Sequence, residues 1–489
     1  MLPVVVLTIL LATAVYLFGA DSSYGPNQVG LLIGAAIALS IGYRNGIGWD
    51  ELQDAVTRGV TLATGAMFIL LLVGSLIGVW ILSGTVPTLI HYGLMLLSPD
   101  WFYAAACIVC ALIGVSIGSS WTVAGTIGVA LVGVAAAMGL NVGIAAGAIV
   151  SGAYFGDKMS PLSDTTNLAP AVAGSELFDH IRQMAWTTVP AFCVAVLMFA
   201  LLGFGADRGA TDLGMGDAMA GLDQSFAIGL HLLLPLALVL FLAWRRVPAV
   251  VSLGLGIVAG AVFAWLFQPQ AVQAMGAALD GPDWLRRIGG IWIVSFSGYA
   301  GETGHAALDD LLNRGGMASM LNTVWLIICA MGFGAAMEKA GLLQRLILGL
   351  MRRVKTAGGL VTTTILSAFG INVVTSDQYL SIVIAGRVYR SEFENKGLDP
   401  LNLSRAVEDG GTITSPLVPW NTCGAYMAAT LGVATFSYAP WALFNWLSPN
   451  IAILVANMGW RLLKLPEGAE RRAASSVDRR RSPAVEPGH

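Results

Sequence analysis

The sequence has little charge and few cysteines. Aspartate, glutamate, lysine and arginine make up only 11% of the 489 residues, and the five cysteines all lie in apolar surroundings. A disulfide-stapled secreted domain is therefore excluded, because such domains are dense in cysteine. The net charge of −3 says nothing about nucleic acid, but no DNA- or RNA-binding motif appears, so no nucleic-acid partner is expected. The five histidines have no metal-ligand spacing, so we expect no cofactor.

Apolar residues dominate instead. They make up 56% of the chain, and the mean hydropathy of +0.74 is far above that of soluble domains. The first 20 residues lack the basic segment of a secretory signal, so we interpret them as a transmembrane helix. The pattern predicts an all-α polytopic membrane protein. Its spans are predicted near residues 2–19, 27–43, 62–83, 142–156, 183–204, 226–243, 247–267, 319–340, 411–431 and 441–458.

Two longer apolar stretches, 101–138 and 358–386, carry polar residues in the middle. Each is predicted to be either a re-entrant hairpin with a polar tip or a pair of full crossings, and both arrangements return the chain to the side where it entered. Lysine and arginine then concentrate in loops that share one face with both termini. By the positive-inside rule this face is the cytoplasmic face of a bacterial inner membrane.

Charge interrupts a hydrophobic helix at residues 152–170. Asp157, Lys158 and Asp164 follow an almost wholly apolar segment, and the helix-breaking Pro161 lies among them. A charged side chain at the centre of a membrane helix costs about 2.5–3.5 kcal/mol even on the gentler insertion scales, so a function must justify these residues. The alternative is a polar loop at the membrane surface. A broken helix, however, supplies carboxylate, hydroxyl, amide and carbonyl oxygens that suit an alkali cation, and transporters build midplane sites from such breaks.

The polar middle of 101–138 is predicted to face this break, so that the two form one oxygen cage. Hydroxyl groups also serve in hydrogen bonds between membrane helices, which is the alternative role for each of them. Lys158 either pairs with a carboxylate when the cation is absent or extends to the membrane interface. The predicted cation- or proton-binding residues are Ser119, Ser120, Thr122, Asp157, Ser160, Asp164, Thr165 and Asn167.

The two halves of the chain repeat one another. Residues 52–59 match 308–315 at an offset of 256, the hydroxyl pair at 119–120 meets the pair at 375–376 at the same offset, and Ser-Pro-Leu recurs at 160 and 415. The charge rule places Arg58 on the cytoplasmic face and its counterpart Arg314 outside, so the repeats are predicted to be inverted. Each repeat is predicted to contain one hairpin and one discontinuous helix.

The repeat also predicts how the chain is divided and where a second polar site lies. Asp157 aligns loosely with Asp409, whereas Asp164 and Asp377 have no acidic counterpart. Such asymmetry is expected if one half binds the cation and the other binds something else. The predicted divisions are a first repeat (1–204), a polar linker (205–225), a second repeat (226–460) and a disordered cytoplasmic tail (461–489). The predicted second-half site consists of Thr375, Ser376, Asp377, Asp409, Thr412, Ser415 and Asn421.

Several stretches resemble the NhaC-type sodium/proton antiporters of the ion transporter superfamily. These are the break at 152–170, the tip at 118–122 (Gly-Ser-Ser-Trp-Thr), and 403–409 (Leu-Ser-Arg-Ala-Val-Glu-Asp) followed by 415–424. The likeness covers roughly residues 52–446. It implies exchange of Na⁺ for H⁺ by alternating access, with Na⁺ as the transported ion and Asp157 and Ser160 among its ligands. It also implies an alternative, the Na⁺- or H⁺-coupled exchange of a small organic acid or amino acid.

No enzyme is expected. Residues 114–118 match G-x-S-x-G, but a nucleophile elbow needs a preceding strand, and this match lies in a transmembrane segment. A channel would favour an open polar pore or a ring of subunits, whereas broken helices in repeats favour alternating access. The expected partners are Na⁺, H⁺, membrane lipid and, for the alternative, a small carboxylate. The sequence leaves a homodimer open.

Overall fold

The computed structural model describes residues 2–204, 215–301, 309, 312–351, 354 and 356–465. Within these residues the chain is helical, with one isolated β-bridge between Leu398 and Lys464. Eight of the described helical segments are long and apolar enough to cross a membrane, or ten if two bent pairs are each counted as one span. The predicted all-α polytopic class is confirmed.

The first half begins with two apolar helices and ends with a long one. A π-helical segment, Ala124–Gly128, joins α7 to α8, so that 120–137 forms one continuous helical stretch. The helices are α1 (Leu2–Phe18), α2 (Pro26–Arg44), α3 (Trp49–Leu62), α4 (Thr64–Leu82), α5 (Thr85–Leu96), α6 (Phe102–Ile117), α7 (Ser120–Val123), α8 (Val129–Ala137), α9 (Val142–Met159), α10 (Asp164–Ala173) and α11 (Leu177–Phe204).

The second half contains a similar series. Part of the predicted linker is helical, because α12 covers its last residues, while 205–214 lie outside the described residues. The helices are α12 (Met215–Ser225), α13 (Leu234–Trp244), α14 (Ala249–Phe267), α15 (Pro269–Met275), α16 (Asp283–Ser297), α17 (Leu321–Lys339), α18 (Leu342–Met351), α19 (Ala357–Thr375), α20 (Gln378–Asn395), α21 (Pro400–Gly411), α22 (Thr422–Leu431), α23 (Thr435–Tyr438) and α24 (Leu443–Asn457).

The start of the predicted tail packs against the helices. Leu463 donates its N–H to the Asn402 side chain at 3.1 Å, and the Arg461 guanidinium lies 3.8 Å from the centre of the Trp186 ring. Order therefore continues past residue 460. Most of the tail predicted to be disordered, 466–489, lies outside the described residues.

Helices α6 and α9 run parallel and very close together. A Cβ added to Gly152 would lie 2.1 Å from the Cys107 carbonyl oxygen, and one added to Gly156 would lie 2.6 Å from the Gly114 Cα. Small residues at such contacts allow membrane helices to approach closely. Because α6 and α9 run in the same direction, α7 and α8 must run back between them. The predicted return of 101–138 to its side of entry is confirmed.

The second half repeats this arrangement. Helices α19 and α21 also run parallel: a Cβ on Gly410 would lie 2.4 Å from the Ile365 carbonyl oxygen, and Asn372, later in α19, donates at 3.1 Å to the hydroxyl of Thr414, just past the end of α21. Helix α20 returns between them. The tight turns also match, since Gly118 and Ser376 have left-handed φ angles of 73° and 61°. The two halves therefore share an order of elements, while their inversion stays a prediction.

Arg58 and Arg314, which the sequence repeat aligns, lie near opposite ends of helix α17. A Cβ on Gly59, next to Arg58, would lie 2.5 Å from the Ala335 Cβ near the end of α17. Arg314 lies just before Met317, where this helical span begins. The intervening residues rise about 27 Å at ~1.5 Å each, close to the ~30 Å of a bilayer core. This geometry is what the predicted inversion requires.

One predicted span is wrong. Residues 411–431 do not form a continuous crossing, because α21 ends at Gly411 and a short 3₁₀ helix, Ser415–Leu417, follows before α22. Helix α22 has 10 residues and is about 15 Å long, half the hydrocarbon thickness. Pro416 lacks an N–H and interrupts the helical ladder here. The apolar count missed this break, whereas the repeat, with Ser-Pro-Leu at 160 and at 415, correctly predicts a discontinuous helix in the second half.

Candidate cation site

The break after α9 is built by local hydrogen bonds. Pro161 cannot continue the helix, and the Ser163 hydroxyl accepts the Thr166 N–H at 3.4 Å to begin α10. The Asn167 amide donates to the carbonyl oxygens of Pro161 (2.9 Å) and Ser163 (2.6 Å). The Ser160 hydroxyl donates to the Val115 carbonyl oxygen at 2.8 Å. Ser160 and Asn167 thus hold the shape of the break.

Asp157, in the last turn of α9, faces the tip between α6 and α7. Its Oδ2 accepts two hydrogen bonds from Ser120, one from the backbone N–H at 3.1 Å and one from the hydroxyl at 2.6 Å. The side chain is only 7% exposed, so these bonds compensate for much of its lost hydration. The predicted meeting of tip and break is what the structure shows.

A cavity of about 300 Å³ opens beside this contact. Carboxylates from both halves of the chain meet in it, and among the described residues that line it there is no lysine, arginine or histidine. A second cavity of about 310 Å³ shares Ser119, Thr122 and Asp164 with the first and extends to Arg246 in the α13–α14 loop. Polar and aromatic residues lining the first cavity are Ser119, Ser120, Trp121, Thr122, Asp157, Ser163, Asp164, Thr165, Asp377, Gln378, Tyr379, Thr422 and Tyr426.

Six of the eight residues predicted for the first-half site line this cavity, and Ser160 and Asn167 do not. Three carboxylates with several hydroxyl groups form a hard-oxygen donor set, which suits an alkali cation. Among the described residues there is no group of three or more histidine, cysteine, aspartate or glutamate side chains placed to hold a metal ion. A cation here would therefore depend on a mixture of carboxylate, hydroxyl and water oxygens.

The predicted second-half site does not assemble as one cage. Asp377 lines the cavity and also caps α20, because its Oδ1 accepts the Leu380 N–H at 2.9 Å. The other six predicted residues do not line it. Thr375 donates to the Ile371 carbonyl oxygen at 3.0 Å, Ser415 donates to the Thr412 carbonyl oxygen at 2.7 Å, and Asn421 accepts the Cys423 N–H at 3.0 Å. Ser376 and Thr412 are buried, and their hydroxyl groups have no described partner.

Asp409, the remaining residue of the predicted second-half site, lies away from the cavity in a buried ion pair. It is fully buried and forms an ion pair with Lys158, which is also fully buried. The Lys158 amine also donates to the Ser448 hydroxyl at 3.0 Å, and Ser448 donates to Asp409 at 2.7 Å. Lys158 therefore pairs with a carboxylate and does not extend to the interface, while a dependence of this pair on the cation stays a prediction.

Sequence reasoning left several of these residues out of the site. Tyr379, Tyr426 and Gln378 line the cavity, but single aromatic or amide residues in an apolar chain carry no signal. Arg405 is fully buried beside the ion pair, and none of its three guanidinium nitrogens has a described hydrogen-bond partner. Here a signal existed, since charged residues at 405, 408 and 409 fall on one helix within an apolar region.

Comparison with known proteins gives one family. A model of the Na⁺/H⁺ antiporter family matches residues 152–460. The chain is 39% identical over 432 residues to the Na⁺/H⁺ antiporter NhaC of Alkalihalophilus pseudofirmus (88% of this chain, 90% of that one) and 37% identical over 413 residues to NhaC of Bacillus subtilis (84% and 87%). It is also 34% identical over 435 residues to the malate-2H⁺/Na⁺-lactate antiporter of Bacillus subtilis (89% and 90%). The chain is a multi-pass membrane protein that belongs to the Na⁺/H⁺ antiporter family.

Proposed function

We propose that this protein exchanges Na⁺ for H⁺ by alternating access, and that both ions use the cavity at Asp157. The observation that carries the proposal is the lining of this cavity: two carboxylates from the first break and one, Asp377, from the turn between α19 and α20, without a basic side chain among the described residues. A cavity of this charge attracts cations and repels anions. The NhaC relatives, named as Na⁺/H⁺ antiporters, support the same ions.

Sharing one carboxylate explains why the two ions would be exchanged. Na⁺ needs the ionised form of Asp157, and a proton abolishes that form, so occupancy by either ion excludes the other. A carrier that changes its accessibility only when loaded must then move the ions in opposite directions. Both hydrogen bonds from Ser120 go to the Oδ2 atom of Asp157, so the tip does not occupy the Oδ1 atom.

The cavities support a cytoplasm-facing state. The second cavity continues from the first toward the α13–α14 loop, whose arginines are predicted to be cytoplasmic. In the other direction the Trp121 and Tyr426 rings stack with centres 4.0 Å apart, and a separate cavity of about 360 Å³, lined by Arg314, lies beyond α22. We therefore take α22 and the ring pair as the barrier in this state, and place both termini in the cytoplasm of a bacterial cell.

The alternative substrate, a small organic acid, also has an observation in its favour. Arg246 lines the second cavity, and a guanidinium binds carboxylates well. The combined cavities are larger than a bare Na⁺ requires, and one relative is named as a malate and lactate antiporter. An organic anion would bind toward Arg246, with the cation at Asp157.

Reconstitution into liposomes that enclose a pH dye tests the proposal. Adding Na⁺ outside should make the interior alkaline, because Na⁺ enters as H⁺ leaves, with no organic solute present. Parallel samples receive Li⁺, K⁺, or Na⁺ with malate, lactate or an amino acid. A pH change that appears only when an organic solute is present would replace Na⁺/H⁺ exchange by the alternative.

A further inference from the structure

The last turn of α9 carries two adjacent charged residues with different partners. Asp157 contacts the tip of the first half through Ser120, whereas Lys158 contacts α21 and α24 of the second half. Successive residues of a helix point about 100° apart, so both contacts form at once. This turn is therefore held from two sides, by one repeat and by the other.

The contact with the second half is a closed triangle. Lys158 donates to Asp409 and to Ser448, and Ser448 donates to the same Asp409 oxygen at 2.7 Å. Lys158 and Asp409 are both 0% exposed, and Ser448 is buried as well. Buried ion pairs stabilise a fold weakly, because the desolvation of two charges offsets their attraction. Their geometry, however, is demanding, since a displaced partner leaves a buried charge uncompensated.

We propose that Lys158 is a positioning residue for Asp157, and that the triangle with Asp409 and Ser448 sets where the Asp157 carboxylate lies in the cavity. Lys158 does not line that cavity, so it does not compete with Na⁺ for Asp157. Asp409 then supports the site from behind rather than binding the ion. The inference rests on the proposed use of Asp157 for Na⁺.

The test removes both charges together. Lys158→Met with Asp409→Asn leaves neither charge of the pair uncompensated and keeps similar volumes, so this double variant should accumulate in the membrane in amounts that Lys158→Met alone does not reach. Its apparent Na⁺ constant should rise on the order of 10–100-fold, the usual cost of losing a residue that orients a metal ligand. Lys158→Arg keeps a donor to Asp409, so its apparent Na⁺ constant should lie between those of the parent and the double variant.

The apparent Na⁺ constants of the parent and the variants show whether Lys158 positions Asp157 or only stabilises the fold. In proteoliposomes with equal amounts of folded protein, a purely structural pair would leave the apparent Na⁺ constant at the parent value, and that result would overturn the proposal. A lower constant in Lys158→Met would also overturn it, because it would show that Lys158 competes with Na⁺. If the double variant does not fold, the apparent Na⁺ constant of Lys158→Arg is compared with that of the parent instead. Equal constants would then overturn the proposal.

An exposed ion pair provides the matched control. Lys339 and Glu51 link α17 to α3 at 2.7 Å with side chains 32% and 64% exposed, and exposed pairs contribute little. Lys339→Met with Glu51→Gln should leave the Na⁺ constant unchanged. If the parent shows no Na⁺-driven pH change, the proposed function fails. If the parent transports and the Lys158 variants keep its constant, only the positioning role fails.

Discussion

The two broken helices share a backbone plan but use their polar residues in different ways. At the first break Asp157, Asp164 and Thr165 line the cavity, whereas at the second break Asn421 and Ser415 bond to their own half. From the second half of the described chain, Asp377 is the one acidic residue that reaches the cavity. Repetition of the fold therefore does not repeat the polar contacts: the side chains of the first break line the cavity, whereas those of the second bond within their own half.

The largest expected effect is on the first break. Asp157→Asn should abolish Na⁺-driven proton movement in proteoliposomes while leaving the protein folded, because the amide keeps the shape and can still accept from Ser120 but carries no charge and releases no proton. Asp50→Asn is the matched control, since Asp50 is exposed in the first turn of α3, far along the chain from either break. Full transport by Asp157→Asn would remove this residue from the centre of the mechanism.

The next effect concerns pH. Lowering the pH protonates the shared carboxylate and so should weaken Na⁺ binding. Once the group is mostly protonated, each further unit should raise the apparent Na⁺ constant about tenfold per competing proton. Isothermal titration of the parent, Asp157→Asn and Asp164→Asn between mildly acid and mildly alkaline pH measures this. The variant whose Na⁺ constant no longer depends on pH identifies the titrating group. A Na⁺ affinity of the parent that is independent of pH would rule out a shared site.

A smaller effect is expected from substitutions of two serines that the sequence repeat aligns, one in each half. Ser120→Ala removes the hydroxyl that donates to Asp157 at 2.6 Å, a bond to a charged group worth about 1.5–3 kcal/mol, and should raise the apparent Na⁺ constant about tenfold or more. Ser376→Ala, at the position that the sequence repeat aligns with Ser120, removes a hydroxyl without a described partner and should change the Na⁺ constant little. Equal effects of the two substitutions on Na⁺ transport would mean that the halves are chemically alike.

The last prediction should leave transport intact. Arg58→Cys and Arg314→Cys, in a background with the exposed Cys193 replaced by serine, should react with an impermeant thiol reagent from opposite sides of the membrane. Their positions at the two ends of α17 require this if the helix crosses the bilayer. Labelling of both cysteines from the same side would contradict the predicted inversion of the repeats, although it would leave their shared order of helices unaffected.

The first-half site was predictable because its signal is local. Charged and hydroxyl residues inside an apolar run must have partners within the protein, and the tip at 119–122 and the break at 157–167 were the nearest candidates in sequence. The π-helical turn in 124–128 and the 10-residue α22 were not predictable, since hydropathy counts apolar residues and does not register where a helix bends or ends.

The sequence by itself determined the class of the protein, its helical content and the two breaks, because a low-dielectric membrane allows few uses for a buried charge. Only the tertiary structure decided which partner each charge takes. Lys158 meets Asp409, which lies 251 residues later in the chain, and Asp377 turns toward the cavity while Asp409 turns away from it. Those choices depend on how α9, α20 and α21 are rotated against one another, and the glycine contacts between parallel helices set those rotations.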